Sequence, residues 1–418
     1  MMKRLKVLVS AYACEPGKGS EQEVGWKWVG QIARFHEAWV ITRANNRELI
    51  ERALAKEPLP NVYWVYLDFP QWARFWKKGQ RGVHLYYYLW QVGAYLTGKR
   101  LHQEVNFDVA HHLTFGIDWI PSFLAFLPVP FVWGPLVGAQ SVDASFRRTW
   151  PWKAQMQEQL RTWVRQFGRV DPLMRWAARR VVLGVASTPE AAEHLFHLGC
   201  KEVVLHPSVG MSSRDIETLS CARLPRETHS GVRFVSVGNL LAFKGFRLAL
   251  KAFAEIQGRF PQAEWWIIGD GPERAQLMRL ADQLAIKDKV HFWGWMPRQE
   301  VMTRLLECDV LVYPCLRGAI SMACLEAMVV GHPVLCLDRG GPALQVTEET
   351  GFKVSAITPE QVVNDLREAM LLLASNPDHR TRLGEAARRR VIEYFDWDRK
   401  GEWLREVYQE IVGSRRIQ

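Results

Sequence analysis

The richest chemistry in the sequence lies between Cys308 and Gly351, CDVLVYPCLRGAISMACLEAMVVGHPVLCLDRGGPALQVTEETG. Ser321 is placed to cap a helix, Gly340-Gly341 to open a turn, and Glu326 sits one turn into that helix. A helix N-terminus and a Gly-Gly turn both aim backbone N–H groups outward, which suits an anion such as a diphosphate. A carboxylate at Glu326 can accept hydrogen bonds from the hydroxyl pair of a sugar. Earlier, in GNLLAFKG (Gly238 to Gly245), Lys244 stands at the start of another helix. There its full charge adds to the partial charge of the helix end and can clamp phosphate. Gly238-Asn239 and Gly269-Asp270-Gly271-Pro272 read as turns after short apolar runs. Near the beginning, Gly17 and Gly19 let the backbone approach a ligand just ahead of a helix. His111-His112 sits where a strand ends, at the edge where open α/β sheets bind ligands. Each feature also has a bland reading: a surface carboxylate, a solvated lysine, a flexible loop, a structural histidine.

The elements that must hold these residues alternate strand with helix. Val7 to Ser10, Ala38 to Thr42, Val62 to Leu67, Asp108 to Ala110, Val181 to Ser187 and Val203 to Leu205 read as strands of a first domain. Ser20 and Glu23 are spaced as a capping box for a helix over about 21–35. The stretch HPSVGMSS, 206–213, has the composition of a hinge. The rhythm then restarts with strands at Arg233 to Val237, Glu264 to Ile268, Val290 to Trp293, Asp309 to Tyr313 and Val334 to Leu337. Helices over about 246–260, 273–284, 298–306 and 322–330 separate them. The expectation is a class α/β chain with residues 1–208, 209–392 and 393–418 as its parts. Asp396-Trp397-Asp398 looks like a metal-binding pair, but at a helix join its carboxylates are better suited to capping.

GNLLAFKG, IIGDGPE (Ile267 to Glu273) and the 308–351 stretch, in this order, resemble the retaining GT-B-fold glycosyltransferases of family 4. The likeness is closest in the second half and looser in the first. It implies two Rossmann-like parallel-sheet domains facing each other across a cleft, with a C-terminal helix crossing back to the first. It implies transfer of a hexose from a nucleotide-diphosphate sugar to a glycan or lipid-linked acceptor, with retention and without a metal or other cofactor. FDVAHHLTFG is similar to the family's D-V-x-H strand end, whose histidine contacts the donor sugar, so His111 or His112 takes that place. The catalytic set implied is Lys244, Glu326, His111 and His112. The donor-binding set is Gly19, Gly238, Asn239, Gly269, Gly271, Arg317, Ser321, Gly340 and Gly341. Lys244 would steady the leaving diphosphate, Glu326 the ribose, and the 269–271 turn would face the base. Two positions depart from the family. Asn239 replaces an arginine of the first phosphate turn, and Gly318 replaces a glutamate that meets the donor sugar. Arg317 or Arg247 is positioned to restore the charge lost at Asn239.

The bulk properties fit an anion-binding protein. The net charge is +10 over 418 residues, which points to nucleotide phosphates or acidic lipid headgroups. No nucleic-acid-binding motif is present, so nucleic acid is not an expected partner. Seven dispersed cysteines without a C-x-x-C pair suggest reduced thiols and a cytoplasmic location. The basic, apolar start through Cys14 imitates a cleavable leader, but its uncharged run is short and reads as a strand. Trp119 to Gly138 carries no charge, yet Pro121, Pro128, Pro130 and Pro135 break any spanning helix there. Gln71 to Arg100 and Phe146 to Arg180 are rich in both aromatics and cations. They are expected either to form core with arginines on the wet face or to make an acceptor surface touching an anionic inner membrane. Two further readings are a GT-B phosphorylase or epimerase, and a binding protein that has lost turnover. The latter draws on Asn239 and Gly318.

Overall fold

A computed structural model describes residues 4–70, 72, 82–138, 140–221 and 231–415. Residues 71 and 73–81 of the first aromatic and basic segment lie outside the described residues. The chain divides into two compact units. The first comprises Met1–Ala139, Trp163–Ser208 and Trp397–Gln418, and the second Gln140–Thr162 and Val209–Asp396.

The strands of the first unit are β1 (Lys6–Ala11), β2 (Glu37–Arg43), β3 (Val62–Leu67), β4 (Val109–Thr114), β5 (Phe131–Leu136), β6 (Val181–Ala186) and β7 (Val203–Leu205). They form one parallel sheet in the order β3-β2-β1-β4-β5-β6-β7. The sheet is buried on both faces, as parallel sheets require. Leu8 and Ala110 join Trp90 and Phe131 on one face, whereas Val7, Val9 and Val109 join Trp28 on the other. The Trp397–Arg415 helix packs in this unit against the Ser20–Phe35 helix. Arg34 binds Asp398 at 2.6 Å, and Tyr408 is fully buried beside Trp28 in one cluster.

The second unit repeats the plan with β8 (Arg233–Val237), β9 (Glu264–Ile268), β10 (Val290–Gly294), β11 (Val310–Tyr313), β12 (Val334–Leu337) and β13 (Gly351–Val354). Their order is β10-β9-β8-β11-β12-β13, again parallel. In both sheets the chain builds outward on one side, then returns to build on the other. The direction reverses between β1 and β4 and between β8 and β11, and beyond the carboxyl ends of such strand pairs open α/β sheets hold ligands. The segment Gln140–Thr162 precedes the last first-unit strands but packs with the second unit. Val142, Phe146 and Trp150 enter its core with Phe234, Phe253 and Trp265.

Three local expectations change. β4 runs on through Thr114, so both histidines lie inside the strand rather than at its edge. Gly340-Gly341 begins a short helix, Gly340–Gln345, instead of a loop. The first helix is preceded by Gly19 rather than Ser20 as its cap, and Glu23 accepts the N–H of Gly17. Among the described residues no helix is long and apolar enough to cross a membrane. Six cysteines there are buried and unbridged.

Candidate active site

In the second unit the expected donor-binding residues follow the carboxyl ends of β8, β9, β11 and β12. The chain leaves β8 at Val237 and turns through Gly238 and Asn239. It then makes a single turn, Ala242–Lys244, before the Phe246–Ile256 helix. Gly245, between turn and helix, has φ 72°, and a Cβ there would lie 1.9 Å from the Pro314 carbonyl. Only glycine lets the lysine turn sit this close to the end of β11. The Leu316 N–H donates to the Phe243 carbonyl at 2.9 Å and ties the two loops together.

Lys244 is the charge at the centre of this arrangement. Its Nζ donates to the Tyr313 hydroxyl at 2.6 Å and lies 4.7 Å from that ring's centroid. Burial works against the ammonium. The neighbouring Cys315 and Tyr313, with the Tyr313 hydrogen bond, outweigh that effect and hold its pKa above the ordinary lysine value. Burial pushes the Tyr313 hydroxyl up to about 12, so it is a neutral partner. The lysine is thus a half-buried cation bound to a phenol rather than to a carboxylate. Its charge remains available to an incoming anion.

Ser321 caps the Met322–Val329 helix, its Oγ accepting from Cys324 N at 3.4 Å. The Gln345 side chain holds that helix start. Its Oε1 accepts from Ser321 N and its Nε2 donates to the Ser321 carbonyl, both at 2.8 Å. Glu326 lies one turn on and is 6% exposed. Burial raises its pKa, opposed by Arg298, whose Nε donates to Oε1 at 2.7 Å. Oε2 has no hydrogen-bond partner among the described residues. One oxygen is therefore anchored and the other can take a hydroxyl.

The glycines divide by role. A Cβ at Gly238 would meet nothing within 4 Å, so this turn faces open space. Cβ atoms at Gly269 and Gly271 would strike the carbonyls of Gly238 at 2.1 Å and Leu240 at 2.5 Å. Those two glycines let the second turn lie against the first. The Gly341 N–H donates to the Gly318 carbonyl at 2.9 Å, and a Cβ at Gly340 would come within 2.5 Å of the same oxygen. Gly340-Gly341 therefore supports the 318–320 loop from beneath. Asn239 is exposed. Arg317 binds the buried carboxylate of Glu158 at 3.0 Å and stacks on Phe243 with its guanidinium 3.9 Å from the ring centroid. Arg247 binds Glu273 at 2.7 Å. Both arginines named as substitutes for the missing charge at Asn239 are already held by acids, Arg317 sharing Glu158 with Arg161. Sequence reasoning missed Arg298, Gln345, Tyr313 and Glu158, whose partners lie 24 to 159 residues away. No local pattern signals such pairs.

The first unit places its candidates differently. His111 and His112 are each 1% exposed and, as neighbours on a strand, point to opposite faces of the sheet. His111 is held between the Tyr408 hydroxyl at 2.5 Å and the Gly134 carbonyl at 2.6 Å. His112 Nε2 meets the Tyr87 hydroxyl at 3.0 Å. Burial lowers His111 to about 4, and burial with repulsion from His111 lowers His112 to about 3. Both are neutral near pH 7. Gly17 and Gly19 have φ 71° and 66°, and a Cβ on either would meet nothing within 4 Å. Beside them Glu21, in the first turn of the Ser20–Phe35 helix and unmarked in the sequence, accepts from Gly116 N at 2.9 Å and so joins that helix start to the loop after β4. Burial pushes its carboxyl up, opposed by the Gly116 and Phe115 N–H groups.

Two doubly wound parallel sheets of this order define the GT-B fold class, and solved structures of that class superpose on the whole chain. Sucrose-phosphate synthase from Thermosynechococcus elongatus matches with a TM-score of 0.64 at 17% identity, over 98% of this chain and 100% of its own. The HepE protein of Anabaena, solved with UDP and glucose, matches with a TM-score of 0.56 at 15% identity, over 97% and 100%. These likenesses establish the fold. Within it, residues 226–390 match the family described as glycosyl transferases group 1. The lipopolysaccharide core biosynthesis glycosyltransferase LpsE of Rhizobium meliloti (strain 1021) is 26% identical over 232 residues, 55% of this chain and 64% of that protein. The chain spans between 42% and 64% of the length of LpsE and two other curated relatives it matches.

Proposed function

We propose that the protein is a glycosyltransferase that moves a hexose from a nucleotide-diphosphate sugar to a glycan or lipid-linked acceptor. The carrying observation is Lys244, a half-buried cation without a carboxylate partner among the described residues, at the switch point of the group 1 unit. Its task is electrostatic. Charge grows on the diphosphate as the bond from the anomeric carbon to phosphate oxygen breaks, and a fixed ammonium lowers that barrier. The partial positive charge of the Met322–Val329 helix start shares the load, while Gly340-Gly341 shapes the loop beside it. Glu326, anchored by Arg298, takes the ribose hydroxyls through its other oxygen. The Gly238-Asn239 and Gly269–Gly271 turns line the nucleotide. Arg317 is held by Glu158, which it shares with Arg161, rather than serving as a phosphate clamp.

The transfer needs no protein nucleophile in this reading. The acceptor oxygen bonds to the anomeric carbon on the face the phosphate leaves, and its proton passes to the departing phosphate oxygen. Configuration is retained and no metal takes part. On the first unit, the loop carrying Gly19 receives the acceptor, and neutral His111 and His112 stiffen the strand behind it. The role of LpsE in lipopolysaccharide core biosynthesis supports a glycan or lipid-linked acceptor.

The test is nucleotide release from a panel of UDP-, GDP-, ADP- and TDP-sugars by the protein and its Lys244→Ala and Glu326→Ala variants. Release from one donor, lost in both variants, is the expected result. Release unaffected by Lys244→Ala sinks the assignment. Nucleotide binding without turnover, with an acceptor extract supplied, would instead favour a binding protein.

A further inference from the structure

The Trp152–Val170 helix is built inside out. Its 19 residues, about 28 Å of helix, contain a single acid, Glu158. That acid is buried and bound by Arg161 at 3.2 Å and Arg317 at 3.0 Å. Arg165, also buried, binds Asp118 at 2.9 Å. Trp152, Met156, Leu160, Trp163 and Val170 face outward, 64%, 61%, 65%, 57% and 69% exposed. Spacings of three and four residues put Trp152 to Trp163 on one stripe, which Val170 extends two turns on. A solvated helix has the reverse arrangement. The exposed polar positions beside the stripe are Lys153, Gln157, Gln159 and Gln166, with Arg148 just ahead of the helix. The two charges among them are both positive.

Another helix, in the first unit, also exposes an apolar face. On Val83–Val105, Leu85, Leu89, Val92 and Leu96 are exposed along one face, opposite the buried Tyr86, Tyr87, Trp90 and Ala94. Lys99 and Arg100 follow near its end. The two helices are linked through Trp119. A Cβ at Gly168 would touch its carbonyl, and its ring lies 4.8 Å from that of His84.

We propose that the Trp152–Val170 stripe is a membrane-docking surface that lies in the interface of an anionic bilayer. Tryptophans suit the headgroup boundary, and the aliphatic residues between them reach the acyl region. Arg148 and Lys153, at the start of the stripe, meet acidic headgroups. A protein partner would need acids facing those two cations and would have no preference for lipid charge. The proposal does not depend on the transfer reaction, so its failure leaves the enzymatic reading untouched.

The test uses the full chain and flotation with vesicles of phosphatidylcholine, alone or with about 30% phosphatidylglycerol. The protein should float with the anionic vesicles, bind neutral ones weakly, and detach as salt rises. Replacing Trp152, Met156, Leu160 and Trp163 together by serine should reduce vesicle partitioning about tenfold or more. Thermal stability should hold, because exposed side chains contribute little to it. Arg148→Glu with Lys153→Glu should weaken binding to anionic vesicles only, and this pair stands in if the serine variant misfolds. No flotation of the unaltered protein would overturn the proposal. So would equal flotation of the serine variant, or a stripe-dependent dimer in sedimentation that ignores vesicles.

Discussion

The two units place opposite chemistry on the same topology. At the β8–β11 switch point stands an ammonium with a neutral partner, an open glycine turn and a capped helix start. At the β1–β4 switch point stand a carboxyl whose pKa burial has raised, and two buried neutral histidines. Strand order therefore fixes where a ligand can bind but not its charge. The first arrangement favours phosphate. The second offers phosphate no such cation among these groups, and on the proposed reading it meets uncharged, hydroxyl-rich groups. The proposed division between donor and acceptor would then rest on side chains grafted on one repeated plan.

Removing the charge from the second unit should break the contrast most completely. Lys244→Ala should lower the rate of nucleotide release about a hundredfold or more. Glu21→Gln in the first unit should spare nucleotide binding and act on acceptor use, as separate titrations of donor and acceptor would reveal. If Glu21→Gln weakens nucleotide as much as Lys244→Ala does, the division of labour is wrong.

Gly245→Ala should come next. It combines a left-handed backbone with a steric conflict against Pro314, and should destabilise the protein by about 2–4 kcal/mol in urea titrations. Gly17→Ala has a similar φ but open space around it, and should cost only about 1 kcal/mol. Equal costs would mean that backbone conformation, not close approach, sets the demand for glycine.

Acid should act on the first unit. His36, His111, His112 and His206 all lie there, and burial lowers each of their pKa values. The folded form keeps His111 and His112 neutral, while the unfolded chain takes up protons below about pH 6.5. Stability is therefore full above that pH and falls as the pH drops toward about 4 for His111 and about 3 for His112. Each pH unit in that window removes about 1.4 kcal/mol per histidine. Hydrogen exchange at pH 7 and pH 5 should show β4 and its neighbours loosening before β8 and β11. Simultaneous loosening of both sheets would contradict this.

The smallest effect belongs to Arg317. Because Glu158 already binds it, Arg317→Gln should change donor affinity within about threefold. A loss comparable with that of Lys244→Ala would mean the ion pair opens when nucleotide arrives.

Much of the second unit was legible because its strands are short apolar runs between glycine, proline and acid. β8, β9 and β12 begin and end where the sequence puts them. β13 was missed, since GFKV carries a lysine and too few residues to alternate. The histidine strand was cut short because two polar residues looked like an edge, although both find partners inside. The Trp152–Val170 helix could not be read as core or surface from composition, because its charged and apolar faces are exchanged. At the candidate site, charge and glycine spacing located Lys244, Ser321 and Glu326. The clamps on them, Tyr313, Gln345 and Arg298, depend on the fold bringing distant segments together.

The contact of Gly269 and Gly271 with the preceding turn has a further consequence, for inheritance. The obstructing atoms are backbone carbonyls, so no compensating side-chain change can make room for a methyl group. Both positions are closed to mutation whether or not anything binds nearby. On the proposed reading, a descendant that lost turnover would keep this glycine signature and would show its loss at Lys244 and Glu326 instead.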